Sequence, residues 1–545
     1  MQFMPLTPVH KGDAAAVAQS LWEDTARFNT FFDCEPRVDA IPITVVCQRT
    51  FPDWMARQSS AVQQWVQFHQ FESLLQDADS RGRSRLPSKP RDPVLLLPPE
   101  AVGSAHRPAA VLVAASDADT KSAQGVAWTL AALPACLPPA AYVLQQLPSE
   151  LSPTAAALAW ALGTYAFDRY KTRRHIDTAA PAYPTLARPH GCTWAYVESA
   201  ARAAFLARDL INTPSEHMGP ATLEACARVL AEALQGTCRA IVGDALLRDN
   251  FPQVHAVGRA AAERHAPRLI ELEFAPDTDA ATGDQDALSI VLVGKGVTFD
   301  SGGLDLKPSS AMRLMKKDMG GAANVLGLAL MLRSDAALRR RLHLRVLVPA
   351  VENAVSGGAF RPGDVLTARN GMTTEVGNTD AEGRLILADA LVYATESAPR
   401  LVVDCATLTG AGRVALGTDV PAMFSNDDQV AVELLQAAER TGDALWRLPL
   451  HTPYRKLLRS TVADVQNVSD GPYAGCITAA LYLNEFVQPT GAGNAAARPA
   501  PAWIHIDHMA YATSSAPGRP EGGLEQGIRA LHAMISKRYG GGGKE

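Results

Sequence analysis

Two Gly-rich segments carry most of the charged side chains that could do chemistry. The first is V-G-K-G-V-T-F-D-S-G-G-L-D-L-K-P at 293–308, and the second is N-T-D-A-E-G-R-L at 378–385. With K-D-M-G-G at 317–321, they supply seven candidate residues: Lys295, Asp300, Lys307, Asp318, Asp380, Glu382 and Arg384. Carboxylates are hard oxygen donors, and beside an amine and a guanidinium they suit a hydrolase that uses metal ions.

The spacing of the carboxylates allows several of them to reach one site. Asp380 and Glu382 are two residues apart, and in a turn or extended segment such residues can point the same way. Asp300 follows a strand-like run and precedes Ser-Gly-Gly, where the backbone can turn tightly. Parallel sheets bind ligands at the carboxyl ends of their strands. Because clustered carboxylates cannot all stay ionised alone, two divalent ions about 3.5 Å apart would neutralise them.

The basic residues leave more than one role open. A lysine ligates a metal only when neutral, so burial beside dications would have to lower the pKa of Lys295 or Lys307. A lysine that stays cationic can instead polarise a carbonyl or stabilise an oxyanion. Arg384 cannot act as a base at ordinary pH, but it can hold a small anion bidentately.

Other interpretations of these segments are weaker. Surface ion pairs around Gly-rich loops would not concentrate seven such residues in two segments. A phosphate-binding loop would need the spacing G-x-x-x-x-G-K-S/T, which G-K-G-V-T lacks. None of the thirteen histidines lies in either segment, and we expect His217, His505 and His508 to have capping or core roles. With oxygen ligands and an amine, Mn²⁺, Mg²⁺ or Co²⁺ competes with Zn²⁺.

Size and composition predict two domains in a globular chain. The sequence has 545 residues, 47% hydrophobic and 20% charged, with a formal net charge of −5, which gives no support to a general nucleic-acid binder. Eight cysteines stand singly without a C-x-x-C pair, so we expect reduced thiols. The N-terminus lacks a basic start before an apolar core, and no apolar run is long enough to span a bilayer. We therefore expect a cytoplasmic protein without a membrane partner.

The order of strand-like and helical runs predicts an α/β fold with two domains. Residues 1–180 form a small N-terminal α/β domain, 181–194 a linker, 195–539 the catalytic domain and 540–545 a flexible tail. Strand-like runs at 269–274, 288–293, 344–348 and 401–403 alternate with helical runs such as 324–334 and 385–396. Such alternation predicts a central, mostly parallel sheet flanked by helices. Polar stretches at 77–92 and 488–502 are predicted as loops.

The motifs resemble those of the leucyl aminopeptidase family, also called cytosol aminopeptidases or peptidase family M17. The family signature N-T-D-A-E-G-R-L is present without substitution. The motifs G-K-G-V-T-F-D-S-G-G, K-D-M-G-G-A-A, I-N-T-P-S at 211–215 and A-T-L-T-G-A at 406–411 match as well. The resemblance covers about residues 195–539 and implies a dinuclear metal aminopeptidase acting on short peptides.

The resemblance also implies a role for each candidate residue. Asp300 and Glu382 would be shared by both metals, Asp380 would ligate one of them, and Lys295 and Asp318 the other. Lys307 would polarise the scissile carbonyl, and Arg384 would hold a bicarbonate ion that acts as general base. In this picture a water bridging two Zn or Mn ions attacks the peptide bond, and the free α-amine of the substrate binds one metal.

A substrate pocket is implied by the resemblance too, and there the sequence departs from the family. Its members here would be Met315, Thr407, Leu408, Gly410, Met509 and Ala512. The segment W-I-H-I-D-H-M-A-Y-A-T at 503–513 differs from the commoner W-x-H-L-D-I-A-G. Met509 in place of a small residue would narrow the pocket locally and Ala512 would open it elsewhere, so the resemblance does not predict a preference for leucine. Neutral repacking of the core by these residues is an equally open alternative.

The family forms homohexamers with enclosed active sites, which implies small peptides as substrates. A dipeptidase for Cys-Gly-like substrates is the alternative within enzymes. Some members also bind DNA through the N-terminal domain, a second alternative that the near-neutral composition of residues 1–180 does not support.

Overall fold

The computed structural model describes residues 13–35, 39–71, 73, 94–97, 110–114, 128–149, 151–171, 183–277, 288–489 and 499–540. The predicted loop at 77–92, residues 490–498 of the predicted loop at 488–502, and residues 541–545 of the predicted tail lie outside them. The chain divides into two compact units. The larger unit holds Met1–Thr25, Arg202–Ser514 and Glu521–Glu545, and the smaller one holds Ala26–Ala201 and Ser515–Pro520.

The smaller unit is an α/β domain built on a sheet of six described strands. These are β1 (Phe32–Asp33), β2 (Ile41–Val46), β3 (Val94–Leu97), β4 (Ala110–Ala114), β5 (Ala141–Gln146) and β6 (Thr185–Ala187). Their order is β1-β6-β5-β2-β4-β3, and all neighbours are parallel except β3 and β4. Its helices are Phe51–Ala56, Ser60–Phe68, Leu133–Cys136 and Pro153–Gly163, with a 3₁₀ helix at Arg27–Phe31.

Two details of this unit differ from the sequence prediction. Strand β6 lies inside the segment 181–194 predicted as a linker, because its three residues stand between Pro184 and Pro189, a pattern typical of a loop. Apolar residues have helical spacing over 153–169, but the helix ends at Gly163, where the Thr164 hydroxyl donates back to the Ala161 carbonyl at 2.7 Å. The other domain bounds stay predictions.

The larger unit contains a central sheet of nine described strands. These are β7 (Thr237–Val242), β8 (Arg268–Phe274), β9 (Leu288–Gly294), β10 (Gly296–Asp300), β11 (Leu342–Asn353), β14 (Leu401–Ala406), β15 (Ala422–Ser425), β16 (Trp446–Arg447) and β18 (Ala502–Asp507). Their order is β16-β15-β18-β14-β9-β11-β8-β7, and β10 also pairs with β11. The four middle strands β18, β14, β9 and β11 are parallel, which confirms the predicted mostly parallel sheet.

Short strands and helices complete this unit. Strands β12 (Val365–Thr367), β13 (Thr373–Glu375) and β17 (Val465–Gln466) form one small sheet, and β19 (Tyr511–Ala512) pairs with β20 (Gly522–Gly523). The helices are Ala14–Asp24, the part of Trp194–Asn212 from Arg202 onwards, Pro220–Ala233, Ala245–Arg248, Pro252–Gly258, Ser309–Met312, Gly320–Ser334, Ala336–Arg339, Glu382–Glu396, Ala411–Leu416, Asp428–Thr441, Gly475–Asn484 and Ile528–Tyr539. The 3₁₀ helices are Glu263–His265, Met315–Met319 and Thr452–Leu458.

The middle strands have the composition of strands that are covered on both faces. All six residues of β14, L-V-V-D-C-A, are buried, and β9 reads L-S-I-V-L-V-G. Helices Gly320–Ser334 and Glu382–Glu396 both pack against β9 and are buried along almost their whole length. Parallel strands flanked by helices have such near-continuous apolar runs. Among the described helices, none has both the length and the apolar composition needed to cross a bilayer.

Candidate metal centre and substrate pocket

A break between two strands places the first pair of candidate ligands. Strand β9 pairs with the first half of β11 and β10 with its end, and Lys295 lies between them. The Lys295 backbone keeps sheet-like contacts, since its N–H donates to the Cys405 carbonyl at 3.0 Å. Asp300 ends β10 opposite Asn353, the last residue of β11. The carboxylate and the amine thus leave the sheet at the carboxyl ends of its parallel strands, as expected.

The second Gly-rich segment, 378–385, brings its candidate residues to the same site from a loop and from the first turn of a helix. Asp380 lies in the loop, and Glu382 begins helix Glu382–Glu396. A side chain on the next residue would displace Lys295, because a Cβ at Gly383 would lie 2.6 Å from Cε of Lys295. Arg384 follows one residue later and is also buried.

Hydrogen bonds join the two Gly-rich segments to each other. The Thr379 hydroxyl donates to the Gly302 carbonyl at 2.6 Å, and its backbone N–H donates to Asp305 Oδ2 at 2.7 Å. Gly302 has φ +89°, a conformation that glycine adopts without strain. The two segments therefore form one rigid unit although 74 residues separate Thr379 from Asp305.

Two asparagines that the sequence analysis missed orient this unit. Asn353 Nδ2 donates to Asp300 Oδ1 at 2.9 Å and to the Thr379 carbonyl at 3.1 Å. Asn467 accepts from the Gly377 N–H at 2.8 Å and donates to the Asn378 carbonyl at 2.8 Å. A polar residue at the end of the apolar strand β11 was a signal for Asn353, whereas Asn467 follows a two-residue strand that the sequence does not indicate.

The five residues predicted as metal ligands lie together. Oxygens of Asp300, Asp380 and Glu382 are all within 4.8 Å of one another. The other two predicted ligands, Lys295 and Asp318, lie beside these oxygens. Lys295 Nζ is 2.8 Å from Asp318 Oδ2 and 2.9 Å from Glu382 Oε1. Asp318 comes from the 3₁₀ helix Met315–Met319.

The negatively charged carboxylates of this cluster repel one another. Burial and the neighbouring Asp300 raise the pKa of Glu382 to about 8, and burial and Asp318 raise the pKa of Asp300 to about 6. Glu382 Oε2 is buried without a hydrogen-bond donor among the described residues. Cations between the oxygens would relieve the repulsion and satisfy this atom, so the donor set fits divalent metal ions.

Lys295 has a charge state that differs from the one predicted for a ligand. Its pKa is raised, although burial alone would lower it, because Asp318 and Glu382 face the amine. Asp318 and Glu382 thus keep Lys295 protonated when no metal ion is bound between the carboxylates. Divalent ions bound by the same carboxylates would reverse the direction of the shift.

The two predicted catalytic residues lie beside the cluster. Lys307 Nζ is 2.7 Å from Asp300 Oδ2 and also contacts Asp380 Oδ1, and these carboxylates keep its pKa above the ordinary value against the effect of burial. Arg384 Nη1 donates to the Asn467 carbonyl at 2.5 Å, while Nε is buried without a hydrogen-bond acceptor in the described part of the chain. Burial lowers the pKa of Arg384 below its ordinary value.

The predicted pocket residues lie on three segments that meet next to the cluster. The Thr407 hydroxyl donates to Asp318 Oδ1 at 2.7 Å, and the Thr407 carbonyl accepts from Lys295 Nζ at 3.2 Å. A Cβ at Gly320 would lie 2.3 Å from Cβ of Ala510 and 3.1 Å from Cγ2 of Thr407. The segments around residues 320, 407 and 510 are thus in direct contact.

The other predicted pocket residues take their places on these segments. Leu408 donates its backbone N–H to Asp507 Oδ1 at 3.0 Å and packs partly against the core. Met509 is buried, and its sulfur lies 2.8 Å from Arg413 Nη1, whose other Nη would be 3.2 Å from a Cβ at Gly410. Two further members lie at the start of the 3₁₀ helix and on β19, respectively: Met315 and Ala512.

The same region contains buried polar side chains that the sequence analysis did not assign to a site. Lys317 is 4% exposed, and burial lowers its pKa to about 8. His508 is also 4% exposed, and burial and the charge of Lys317 lower its pKa to about 3. His505 has the predicted core role, since its Nδ1 lies 2.5 Å from Asp404 Oδ1 between β14 and β18.

Family models match both parts of the chain. Residues 205–532 match the catalytic domain of the cytosol aminopeptidase family, and residues 91–181 match the M17 aminopeptidase N-terminal domain. A probable cytosol aminopeptidase of Syntrophotalea carbinolica is 41% identical over 388 residues, 69% of this chain and 73% of the relative. Peptidase B of Pectobacterium carotovorum is 42% identical over 336 residues, 60% of this chain and 72% of the relative.

Solved structures share the fold. The cytosol aminopeptidase from Coxiella burnetii matches with a TM-score of 0.78 and 37% identity, covering 94% of this chain and 100% of its own. The bottromycin maturation enzyme BotP, in complex with Mn, matches with a TM-score of 0.69 and 34% identity, covering 84% of this chain and 95% of its own. With a family model over most of the larger unit and relatives at this level of identity, the chain belongs to the cytosol aminopeptidase family, peptidase family M17, and is a peptidase with aminopeptidase activity.

Proposed function

We propose that this aminopeptidase depends on two divalent metal ions and releases the first residue of short peptides. The observation that carries the proposal is the cluster of Asp300, Asp380 and Glu382, whose oxygens lie within 4.8 Å of one another. One buried Glu382 oxygen has no hydrogen-bond donor among the residues that the structure describes. Buried carboxylates at this spacing are costly without cations between them.

Five residues would hold the ions: Asp300 and Glu382 as shared ligands, Asp380 for one ion, and Lys295 and Asp318 for the other. When bound, the ions supply Lewis-acid polarisation of the peptide carbonyl and activation of water. Mn is the metal in the BotP complex, and a set of carboxylates with one amine suits Mn²⁺ as well as Zn²⁺.

Lys307 would stabilise the negative charge that develops on the scissile carbonyl oxygen. Asp300 and Asp380 hold its ammonium in place, so the position of this charge is set before the substrate binds. A preorganised cation of this kind stabilises an oxyanion more than the neutral carbonyl, which lowers the barrier.

Arg384 would hold a bicarbonate ion as general base. Arg384 Nη1 donates to the Asn467 carbonyl at 2.5 Å, whereas the buried Nε has no acceptor among the described residues and could donate to an anion. A planar guanidinium binds a planar carbonate group through two parallel hydrogen bonds. The bound anion would accept a proton that Arg384 itself cannot accept.

The decisive experiment is a substrate panel with the purified chain in Zn²⁺, Mn²⁺ or Co²⁺. The panel contains aminoacyl p-nitroanilides, free dipeptides including Cys-Gly, and the same peptides with an acetylated N-terminus. We expect hydrolysis only of substrates with a free α-amine, since an internal peptide bond has none to offer. Equal rates on acetylated peptides would contradict an aminopeptidase, and activity restricted to dipeptides would identify the dipeptidase alternative.

The assembly and the location remain predictions that rest on the family. A homohexamer with small peptides as substrates is the expected form, and sedimentation velocity that shows a monomer would contradict it. A cytoplasmic location is expected as well, and fractionation of the source cells tests it.

A further inference from the structure

Asn467 is a buried residue whose polar groups all bond to one short stretch of the chain. It is 0% exposed and directly follows the two-residue strand β17. Its backbone N–H donates to the Glu375 carbonyl at 3.0 Å, and its own carbonyl accepts from Arg384 Nη1 at 2.5 Å. Its side chain bonds to backbone groups that lie between these two residues in the sequence. Asn467 is therefore attached to residues 375–384, although 83 positions separate it from Arg384.

The Asn467 amide holds the backbone on both sides of Asp380. Its Oδ1 accepts from the N–H groups of Gly377 at 2.8 Å and Asn378 at 3.3 Å. Its Nδ2 donates to the carbonyls of Asn378 at 2.8 Å and Ala381 at 3.3 Å. Buried backbone groups outside regular structure need partners, and an amide supplies donors and an acceptor at once. One side chain thus fixes the loop that carries a proposed metal ligand.

The same residue sets the orientation of the Arg384 guanidinium. Arg384 lies in the first turn of the helix Glu382–Glu396, so its backbone is held in place. Because a guanidinium is planar, a hydrogen bond at Nη1 also sets the direction of the N–H at Nε. This Nε is buried without an acceptor among the described residues. The Asn467 carbonyl therefore helps to determine where Arg384 would hold an anion.

We propose that Asn467 is a positioning residue of the catalytic site, which holds the Asp380 loop and the Arg384 guanidinium in fixed positions relative to each other. The inference rests on the proposed function and adds a residue to it. Asn467 is not one of the proposed ligands, and it acts through Asp380 and Arg384. Removing a partner that orients a metal ligand typically costs about 10- to 100-fold in metal affinity or activity.

The main test is a double-mutant cycle of Asn467→Ala and Arg384→Ala, measured as kcat and KM at saturating Mn²⁺. The substrate is the aminoacyl p-nitroanilide that the wild type hydrolyses fastest. We expect Asn467→Ala to lower kcat by about 10- to 100-fold with little change in KM, because a misplaced group loses transition-state stabilisation. In the Arg384→Ala background the same substitution should cost less than about twofold, since no guanidinium is left to position. A residue with only a structural role would cause the same loss in both backgrounds.

A metal titration tests the effect on Asp380 separately. The Mn²⁺ concentration that gives half of the maximal rate should rise by about 10- to 100-fold in Asn467→Ala, whether or not Arg384 is present. Arg384→Ala alone should leave this concentration unchanged, because Arg384 is not a proposed ligand. An unchanged half-saturation concentration in Asn467→Ala would overturn the claim that Asn467 holds the Asp380 loop.

Two further variants disturb the same contacts in other ways. Asn467→Asp matches the volume of the amide but has no donor for the two carbonyls, so it should lower kcat as Asn467→Ala does. A Cβ at Gly377 would lie 2.6 Å from Cγ2 of Val468, so Gly377→Ala should push the Asn467 segment away and lower kcat in the same direction. If Asn467→Ala does not fold, these two variants replace it in the cycle with Arg384→Ala.

Asp443→Ala is the matched control for lost stability. The Asp443 side chain is also buried and also holds a distant backbone segment, since it accepts from the N–H groups of Gly527 and Arg529 at 2.9 Å and of Ala530 at 3.3 Å. This variant should lower the melting temperature and leave kcat and the Mn²⁺ half-saturation concentration unchanged.

The outcomes distinguish the inference from the proposed function. A loss in Asn467→Ala that is equally large with and without Arg384 overturns the positioning of Arg384 and leaves the aminopeptidase function standing. Full activity in both Asn467→Ala and Asn467→Asp overturns the inference as well. If the wild type hydrolyses no substrate with any of the three metals, the proposed function itself fails, and the inference fails with it.

Discussion

The amine of Lys295 lies directly against Gly383, so closely that a Cβ at position 383 would come within 2.7 Å of Nζ. One residue belongs to the break between β9 and β10, and the other to the first turn of the helix Glu382–Glu396. The contact brings the two Gly-rich segments together in the candidate metal centre. It also explains a glycine inside a helix, where alanine would otherwise be favoured.

Gly383→Ala should therefore damage the metal centre. The added methyl group would push Lys295 away from Asp318 and Glu382, and a displacement of about 1 Å in a catalytic site can cost about 100-fold in rate. We expect a loss of this size in kcat/KM, together with a lower metal content by elemental analysis. Gly357→Ala is the matched control, because a Cβ there meets nothing within 4 Å. Full activity in Gly383→Ala would show that Lys295 need not occupy its observed position.

Lys307→Ala should lower kcat and leave metal content unchanged. Removing a preorganised group that stabilises an oxyanion costs about 100- to 1000-fold. Since Lys307 contacts Asp300 and Asp380 but is not itself one of the proposed ligands, elemental analysis should still find the metals. A variant that has lost its metals along with its activity would make Lys307 a structural residue of the site rather than a catalytic one.

Arg384→Ala should make the enzyme insensitive to bicarbonate. In buffer purged of carbon dioxide, wild-type activity should fall and recover when bicarbonate is added, because a general base contributes about 100-fold or more. The variant should have the low rate under both conditions. The measurement is the initial rate on one substrate across a bicarbonate series, with chloride as the ionic-strength control. A wild-type rate that does not change across the series argues against a bicarbonate base.

Asp335 should stabilise the larger unit at neutral pH and lose this effect in acid. Hydrogen bonds from His532 and Ser536 hold the pKa of Asp335 well below its ordinary value of 3.8. Because the folded pKa is depressed, the stabilisation is complete above the unfolded pKa and disappears as the pH falls towards the folded one. The difference in melting temperature between wild type and Asp335→Asn should be present at about pH 5 and shrink as the pH falls below about 4. A difference that grows in acid would contradict this.

Sequence patterns predicted the parts of the fold in which the local pattern of apolar residues matches the burial in the folded chain. The buried runs that became β9 and β14 could be recognised because parallel strands covered on both faces are apolar throughout. Gly-rich segments pointed to Asp300 and Glu382. Asp300 ends β10, a placement that follows from the topology of a parallel sheet, whereas Glu382 begins the helix Glu382–Glu396.

What the sequence did not reveal depends on contacts between distant residues. Asn467 supports the loop of Asp380 from a short strand, and its sequence neighbours show no pattern that predicts this role. Strand β6 was predicted as part of a linker because three residues give too little pattern. The burial of Lys317 was missed for a similar reason, since burial is visible only in three dimensions.

The most direct test of the account is a metal titration of the chelated protein. The protein is freed of metals and mixed with increasing amounts of Mn²⁺ or Zn²⁺. The rate of Leu and Glu p-nitroanilide hydrolysis is recorded at each ratio of metal to protein. We expect no activity without metal and a rise that levels off at two ions per chain, with Glu382→Gln failing to reach this level. Full activity in the chelated wild type, or an unchanged titration in Glu382→Gln, would contradict the assignment of this cluster as the catalytic metal centre.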